Sequence, residues 1–69
     1  MKWMVCINNQ GYAASLEPRK LYPALDDEQS ESLGLLRIID ESGEDYLYPQ
    51  EMFCPITTSE PLEEHLLSL

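Results

Sequence analysis

Positive charge is scarce in this chain. Lys2, Arg19, Lys20 and Arg37 are its only basic side chains, against thirteen carboxylates, and the net charge is −9. They form no run longer than two. A protein that grips nucleic acid through its phosphates needs a Lys/Arg surface, so direct nucleic-acid binding is not expected. Long apolar runs are missing as well: none approaches the ~20 residues of a membrane span. The seven residues before Asn8 are too few for the apolar region and small-residue cleavage site of a secretory signal. There is one histidine, His65, and the two cysteines, Cys6 and Cys54, stand 48 positions apart. That spacing excludes a CxxC metal or redox motif. The four N/S ligands of a structural zinc site are also lacking. No metal and no cofactor is expected. Two cysteines without an export signal point to reduced thiols and a cytoplasmic chain.

What remains is small and acidic. Sixty-nine residues make one domain. A chain of this length buries only about 60% of the surface its unfolded form exposes, enough for one layer of core side chains. The acidity has two readings: an ordinary solubility device, or a surface for a basic partner.

Turn signals divide the chain into strands. Residues 3–7 are apolar strand formers, closed by Asn8-Asn9-Gln10-Gly11. Residues 12–18 read as an irregular loop pinned by Tyr12 and Leu16. Residues 20–25 form a second strand, and Pro23, with no N–H for a ladder, places it at an edge or a bulge. The acidic stretch 26–34 reads as a loop with one helical turn. Asp26 and Gln29 resemble a capping box there, and Gly34 is the left-handed residue that ends the turn. Residues 35–40, with Ile38 and Ile39, form the third strand. Glu41-Ser-Gly-Glu44 is a tight turn that uses Gly43 at positive φ. Residues 46–48 form the fourth strand. Pro49 suits the first position of a 3₁₀ turn running to Phe53, and residues 54–56 close a fifth, very short strand. In residues 57–69, Ser59 and Pro61 suit a helix start, and Leu62, Leu66 and Leu69 make one apolar stripe. About eight residues will not hold a helix in water alone, so this tail or short helix needs a surface to dock on.

Strand, long irregular loop, strand, acidic loop, strand, tight turn, strand, 3₁₀ turn, short strand: this order resembles a Src-homology-3 barrel. The closing run Leu47-Tyr-Pro-Gln-Glu-Met-Phe-Cys-Pro-Ile56 looks like that fold's end, where a proline opens the 3₁₀ turn and an aromatic follows four residues later. The resemblance covers residues 3–56. It implies a mainly β, five-stranded SH3-like barrel over residues 1–56, with residues 57–69 as a C-terminal tail. The peptide-binding residues of that fold do not carry over. An Ala-Leu-Tyr-Asp-Tyr-like run is replaced by Ile7-Asn-Asn-Gln-Gly11, and the tryptophan opening the third strand by Gly34-Leu-Leu36. Only Pro49 and Phe53 correspond, with Tyr48 or Tyr12 as additions, so PxxP recognition is expected to be weak or absent. The chain also resembles a group of short uncharacterised bacterial proteins. It shares with them Gly-Tyr-x-Ala-Ser-Leu-Glu (residues 11–17), Lys-x-Tyr (20–22) and Asp-Glu-Ser-Gly-Glu-Asp-Tyr-Leu-Tyr-Pro (40–49). That likeness implies the fold and a bacterial cytoplasm, and no chemistry.

Few residues carry a case for chemistry. His65, beside glutamates in the tail, reads as a solvated helix histidine against a catalytic base. Cys6 and Cys54 read as two buried small hydrophobes or, if neighbours, as a redox-sensitive pair. A calcium loop starting at Asp40 fails on Asp45, which stands where glycine is required. No nucleophile–base pair can be assembled, so an enzyme is not expected. Tyr12, Tyr48 and Phe53, with Asp26, Asp27 and Glu28 of the acidic loop, are the candidate binding surface, since tyrosine is enriched at interfaces. Two functions compete. One is a small non-enzymatic protein–protein interaction module, monomer or weak dimer. The other is an acidic regulator or inhibitor that occupies a basic, nucleic-acid-binding surface on a partner.

Overall fold

The computed structural model describes residues 1–56. Five short antiparallel strands make one sheet, in the order β4-β3-β2-β1-β5. They are β1 (Lys2–Cys6), β2 (Leu21–Leu25), β3 (Leu35–Ile39), β4 (Asp45–Pro49) and β5 (Phe53–Pro55). One helical turn, α1 (Glu28–Glu31), joins β2 to β3, and one 3₁₀ turn (Gln50–Met52) joins β4 to β5. The sheet curls into a half-barrel. Its first and last strands pair, with Cys6 opposite Phe53 and Val5 opposite Cys54. The tail expected over residues 57–69, with His65 and the leucine stripe, lies outside the described residues.

The strands form where β-branched and aromatic residues alternate, because side chains on a strand leave by opposite faces. Met4, Cys6, Tyr22, Ala24, Leu36, Ile38, Tyr48 and Phe53 fill the concave face, joined by Leu16 and Met52. Leu16, Ile38 and Cys6 are fully buried. Leu16 thus pins the long loop into the core from outside the sheet, as expected for one of its two apolar side chains. The loop itself is a series of turns, with the Tyr12 carbonyl accepting from the amides of Ser15 and Leu16.

Several expectations about local structure change. Pro23 was expected at an edge or a bulge, but β2 lies between β1 and β3 and its register with β1 runs unbroken through Pro23. The reason is register. Cys6 donates to the Lys20 carbonyl, so hydrogen-bonded pairs with β1 fall on alternate residues and Pro23, opposite Trp3, sits in a non-bonded pair. Its missing N–H therefore faces β3, where the ladder starts only at Ala24. The helix cap falls on Asp27, not Asp26. The Asp27 carboxylate accepts from the Ser30 amide, and Glu31 reaches back to the Asp27 amide. Asp26 instead pairs with the N-terminal ammonium. Pro49 does not open the 3₁₀ turn. It ends β4 in extended geometry (φ −59°, ψ 135°) and precedes the turn by one residue. Gly34 and Gly43 adopt φ of +80° and +82°, as their turns require.

Candidate functional site

Two tyrosines, one on β2 and one on β4, tie the long loop to the β3–β4 turn. Tyr22 is buried, and its hydroxyl donates to Glu41 at 2.5 Å while accepting the Glu17 amide at 2.8 Å. Lys20 reaches the same Glu41 carboxylate at 2.6 Å. Next to this cluster, the buried Tyr48 donates to Asp40 at 2.5 Å, with Ser15 Oγ 3.0 Å from the same phenol oxygen. Asp40 also accepts from the amide and hydroxyl of Ser42. The Glu41 amide donates to the Ser15 carbonyl, so backbone and side chains hold the same two segments together.

The electrostatics follow from these bonds. Burial pushes the Tyr22 hydroxyl well above the ordinary phenol range and raises that of Tyr48, and the carboxylates beside them push further. Lys20 and Tyr22 hold Glu41 below the usual carboxylate range. Burial pulls Asp40 upward, but the bonds from Ser42 and Tyr48 outweigh it and leave its carboxyl lowered. Phenols held protonated are poor nucleophiles, and carboxylates already accepting such bonds are poor bases. The cluster fastens the fold.

The candidate binding residues part company here. Tyr12, Tyr48 and Phe53 do come together: Tyr12 packs edge-on against Tyr48 at 5.0 Å, and Tyr48 lies 6.2 Å from Phe53. Only Tyr12 is exposed, at 39%; Tyr48 and Phe53 are core. The reason lies in β4, whose alternation sends Tyr48 inward with Leu36 opposite it. The acidic residues are engaged elsewhere. Asp27 accepts from Arg37 Nε at 2.9 Å, and Arg37 also reaches Asp45 at 3.0 Å. Bonds from Ser30 and Arg37 lower the Asp27 carboxyl. Glu28 is exposed in the first turn of α1. Cys6 and Cys54 lie on paired strands but leave by opposite faces. Cys6 is buried, with its thiol raised by burial, while Cys54 is exposed rather than buried.

The surface that sequence reasoning missed is β4 itself. It has only β3 as a neighbour among the described residues. Asp45, Tyr46 and Leu47 are exposed in succession, Tyr46 at 51% and Leu47 at 40%. The signal was available: a short strand with Asp at one end and Pro at the other is typical of a sheet edge. Beyond its end, Gly34, Pro49, Gln50 and Glu51 line an open depression of about 590 Å³. A cleft of about 330 Å³ lies beside it, floored by Met4, Leu36 and Phe53, and the Lys2–Glu31 pair (3.8 Å) stands on its rim. Comparison with protein-family models, curated proteins and solved structures finds no match. The geometry alone bears on function.

Proposed function

We propose that the protein is a small non-enzymatic interaction module of the Src-homology-3-like barrel kind, which binds an extended, cationic segment of another protein along β4. The strand order β4-β3-β2-β1-β5, the pairing of first and last strands and the single 3₁₀ turn after Pro49 support the barrel reading. The observation that carries the binding reading is the edge of β4, open among the described residues, with Tyr46 and Leu47 exposed on its two faces. A free edge offers main-chain hydrogen bonds to an added strand, and side chains on either face supply selectivity. Charge selects the partner. Lys2, Lys20 and Arg37 are each already paired with a carboxylate, while Glu44 stands exposed where β4 begins and Asp45, held by Arg37, is still 45% accessible. A basic strand meets the least repulsion there.

The test is a titration with extended Lys/Arg-containing peptides, followed by backbone amide shifts. Shifts centred on residues 44–48, weakened severalfold by Tyr46→Ala and Leu47→Ala, are the expected result. The second reading, an acidic regulator that covers a basic nucleic-acid-binding surface, draws on the net charge of −9. It requires binding that falls steeply with salt and tolerates both substitutions.

A further inference from the structure

The register of β4 with β3 decides which backbone groups β4 turns outward. At one end the Asp40 amide donates to the Glu44 carbonyl, and at the other the Gln50 amide donates to the Gly34 carbonyl. Both pairs continue the register that runs from Leu35 opposite Pro49 to Ile39 opposite Asp45. Bonded and non-bonded pairs alternate in an antiparallel ladder. Tyr46 and Tyr48 therefore bond to Ile38 and Leu36, while Asp45, Leu47 and Pro49 aim their backbone groups away from β3. Pro49 has no N–H, so Asp45 and Leu47 alone present both a donor and an acceptor. Among the described residues no second strand lies beside them. Their side chains share the face opposite the buried Tyr48. Leu47 is 40% exposed, and Asp45 is 45% accessible beside Arg37. Asp27 and Asp45 share Arg37, so these three groups together are negative.

An added strand can meet these groups in either direction. Running antiparallel, one residue opposite Leu47 and one opposite Asp45 each exchange both bonds, so a tripeptide suffices. Running parallel, each partner residue straddles two of β4's, and the same bonds are spread over a pentapeptide. Every further residue ordered costs conformational entropy, which favours the antiparallel mode. Resting on the reading of β4 as the binding edge, we infer that the partner strand runs antiparallel and reads apolar, any residue, basic in chain order. The apolar residue lies opposite Leu47 and the Lys or Arg opposite Asp45, where unlike charges attract across the pair. Neither is proline, because each donates its N–H. The residue between them turns its N–H to solvent and is unrestricted. A second copy of the chain is a poorer occupant. Paired symmetrically on Leu47, it sets Pro49 opposite Asp45 and leaves the Asp45 carbonyl without a donor. It also brings together two chains of charge −9.

The test uses threonine-flanked peptides with the core Val-Thr-Lys, the reversed core Lys-Thr-Val, and Val-Thr-Lys N-methylated at one residue at a time. Amide shifts and amide hydrogen exchange of the full chain are the readouts. Val-Thr-Lys is expected to bind severalfold more tightly than its reverse. Methylation at valine or lysine is expected to weaken binding severalfold, and at the central threonine to leave it nearly unchanged. On saturation the Asp45 and Leu47 amides gain protection, while those of Tyr46 and Tyr48, already bonded to β3, do not change. A preference for the reversed core, or a loss on methylation of the central residue, overturns the inference yet leaves β4 as the binding edge. So does binding that shifts residues 44–48 and responds to Tyr46→Ala without protecting Asp45 and Leu47. Protection of those two amides in the protein alone, growing with its concentration, assigns the edge to a second copy and overturns it too. Binding by none of the peptides overturns the inference together with the proposed function.

Discussion

Gly43 sits at φ +82° in the β3–β4 turn, and a Cβ added there would meet no atom within 4 Å. Any loss on substitution is therefore backbone strain and not collision. Gly43→Val is expected to cost about 1–2 kcal/mol or slightly more, since a β-branched residue resists the left-handed region. Gly43→Asn is expected to cost less, because asparagine visits that region more readily. Urea melts of the three proteins check the ranking, and a valine variant as stable as the parent would show that the turn relaxes. Tyr22 offers a different test. Removing its hydroxyl orphans the Glu17 amide and one side of Glu41. Tyr22→Phe is expected to lose ~1–3 kcal/mol, the range for an unsatisfied buried polar group. Tyr46→Phe, which removes an exposed bond to Glu44, is expected to stay within ~0.5 kcal/mol. The two sites differ in how far they could be read. Gly43 announces itself within a four-residue turn, whereas Tyr22 meets Glu41 across 19 residues of chain. No local pattern marks such a pair.

The elements were legible for the same reason Gly43 was. Strand positions follow from alternation and from glycine and proline punctuation, both local, and each strand was placed within a residue or two. Pro23 shows the limit: whether a strand is interior depends on its register with two others, which its own sequence does not contain. The candidate surface failed in a similar way. Tyr48 was recognisable as an aromatic on a short strand and Phe53 as the residue ending the 3₁₀ turn, but the structure puts Phe53 on β5, and which face each took was decided by pairing with Leu36 and Cys6. At this scale the turn bearing Asp40 and Glu41 is the working part, because it fastens the long loop. Both carboxyls are held below their ordinary values in the fold. A lowered folded-state value means that ionisation favours folding. The stability this provides is complete above the unfolded-state range near pH 4 and is lost as pH falls through the lower folded values. Melts from pH 7 down to pH 2 are expected to show a stability loss over that window. Glu41→Gln is expected to lower stability at pH 7 and to flatten the acid limb. An acid limb of unchanged slope in that variant would mean that other carboxyls carry the dependence.

For the whole molecule the governing quantity is the charge of −9 spread over a radius of gyration of 11.6 Å. In about 10 mM salt the Debye length is ~30 Å, close to the longest dimension of 31 Å, so most carboxylates feel one another. At physiological ionic strength it falls to ~8 Å, and only near neighbours still interact. The described ion pairs pull the other way, since salt weakens them too. They are partly exposed: the Lys20 side chain is 48% accessible and Lys2 60%, while Arg37 and Asp27 are 34% and 21% accessible. Exposed pairs contribute little, so relief of the general repulsion is the larger effect. The melting temperature is therefore expected to rise between ~10 and ~150 mM sodium chloride. The same screening should weaken a cationic strand bound at β4, so stability and binding are expected to respond to salt in opposite directions. Calorimetry and peptide titration over one salt series check both. A melting temperature that falls with salt would show that the Lys20–Glu41 and Arg37 pairs outweigh the repulsion. The negative surface would then be neutralised internally, and the electrostatic half of the case for a basic partner would be lost. The edge of β4, open among the described residues and bearing Tyr46 and Leu47, would still stand as a site for an uncharged strand.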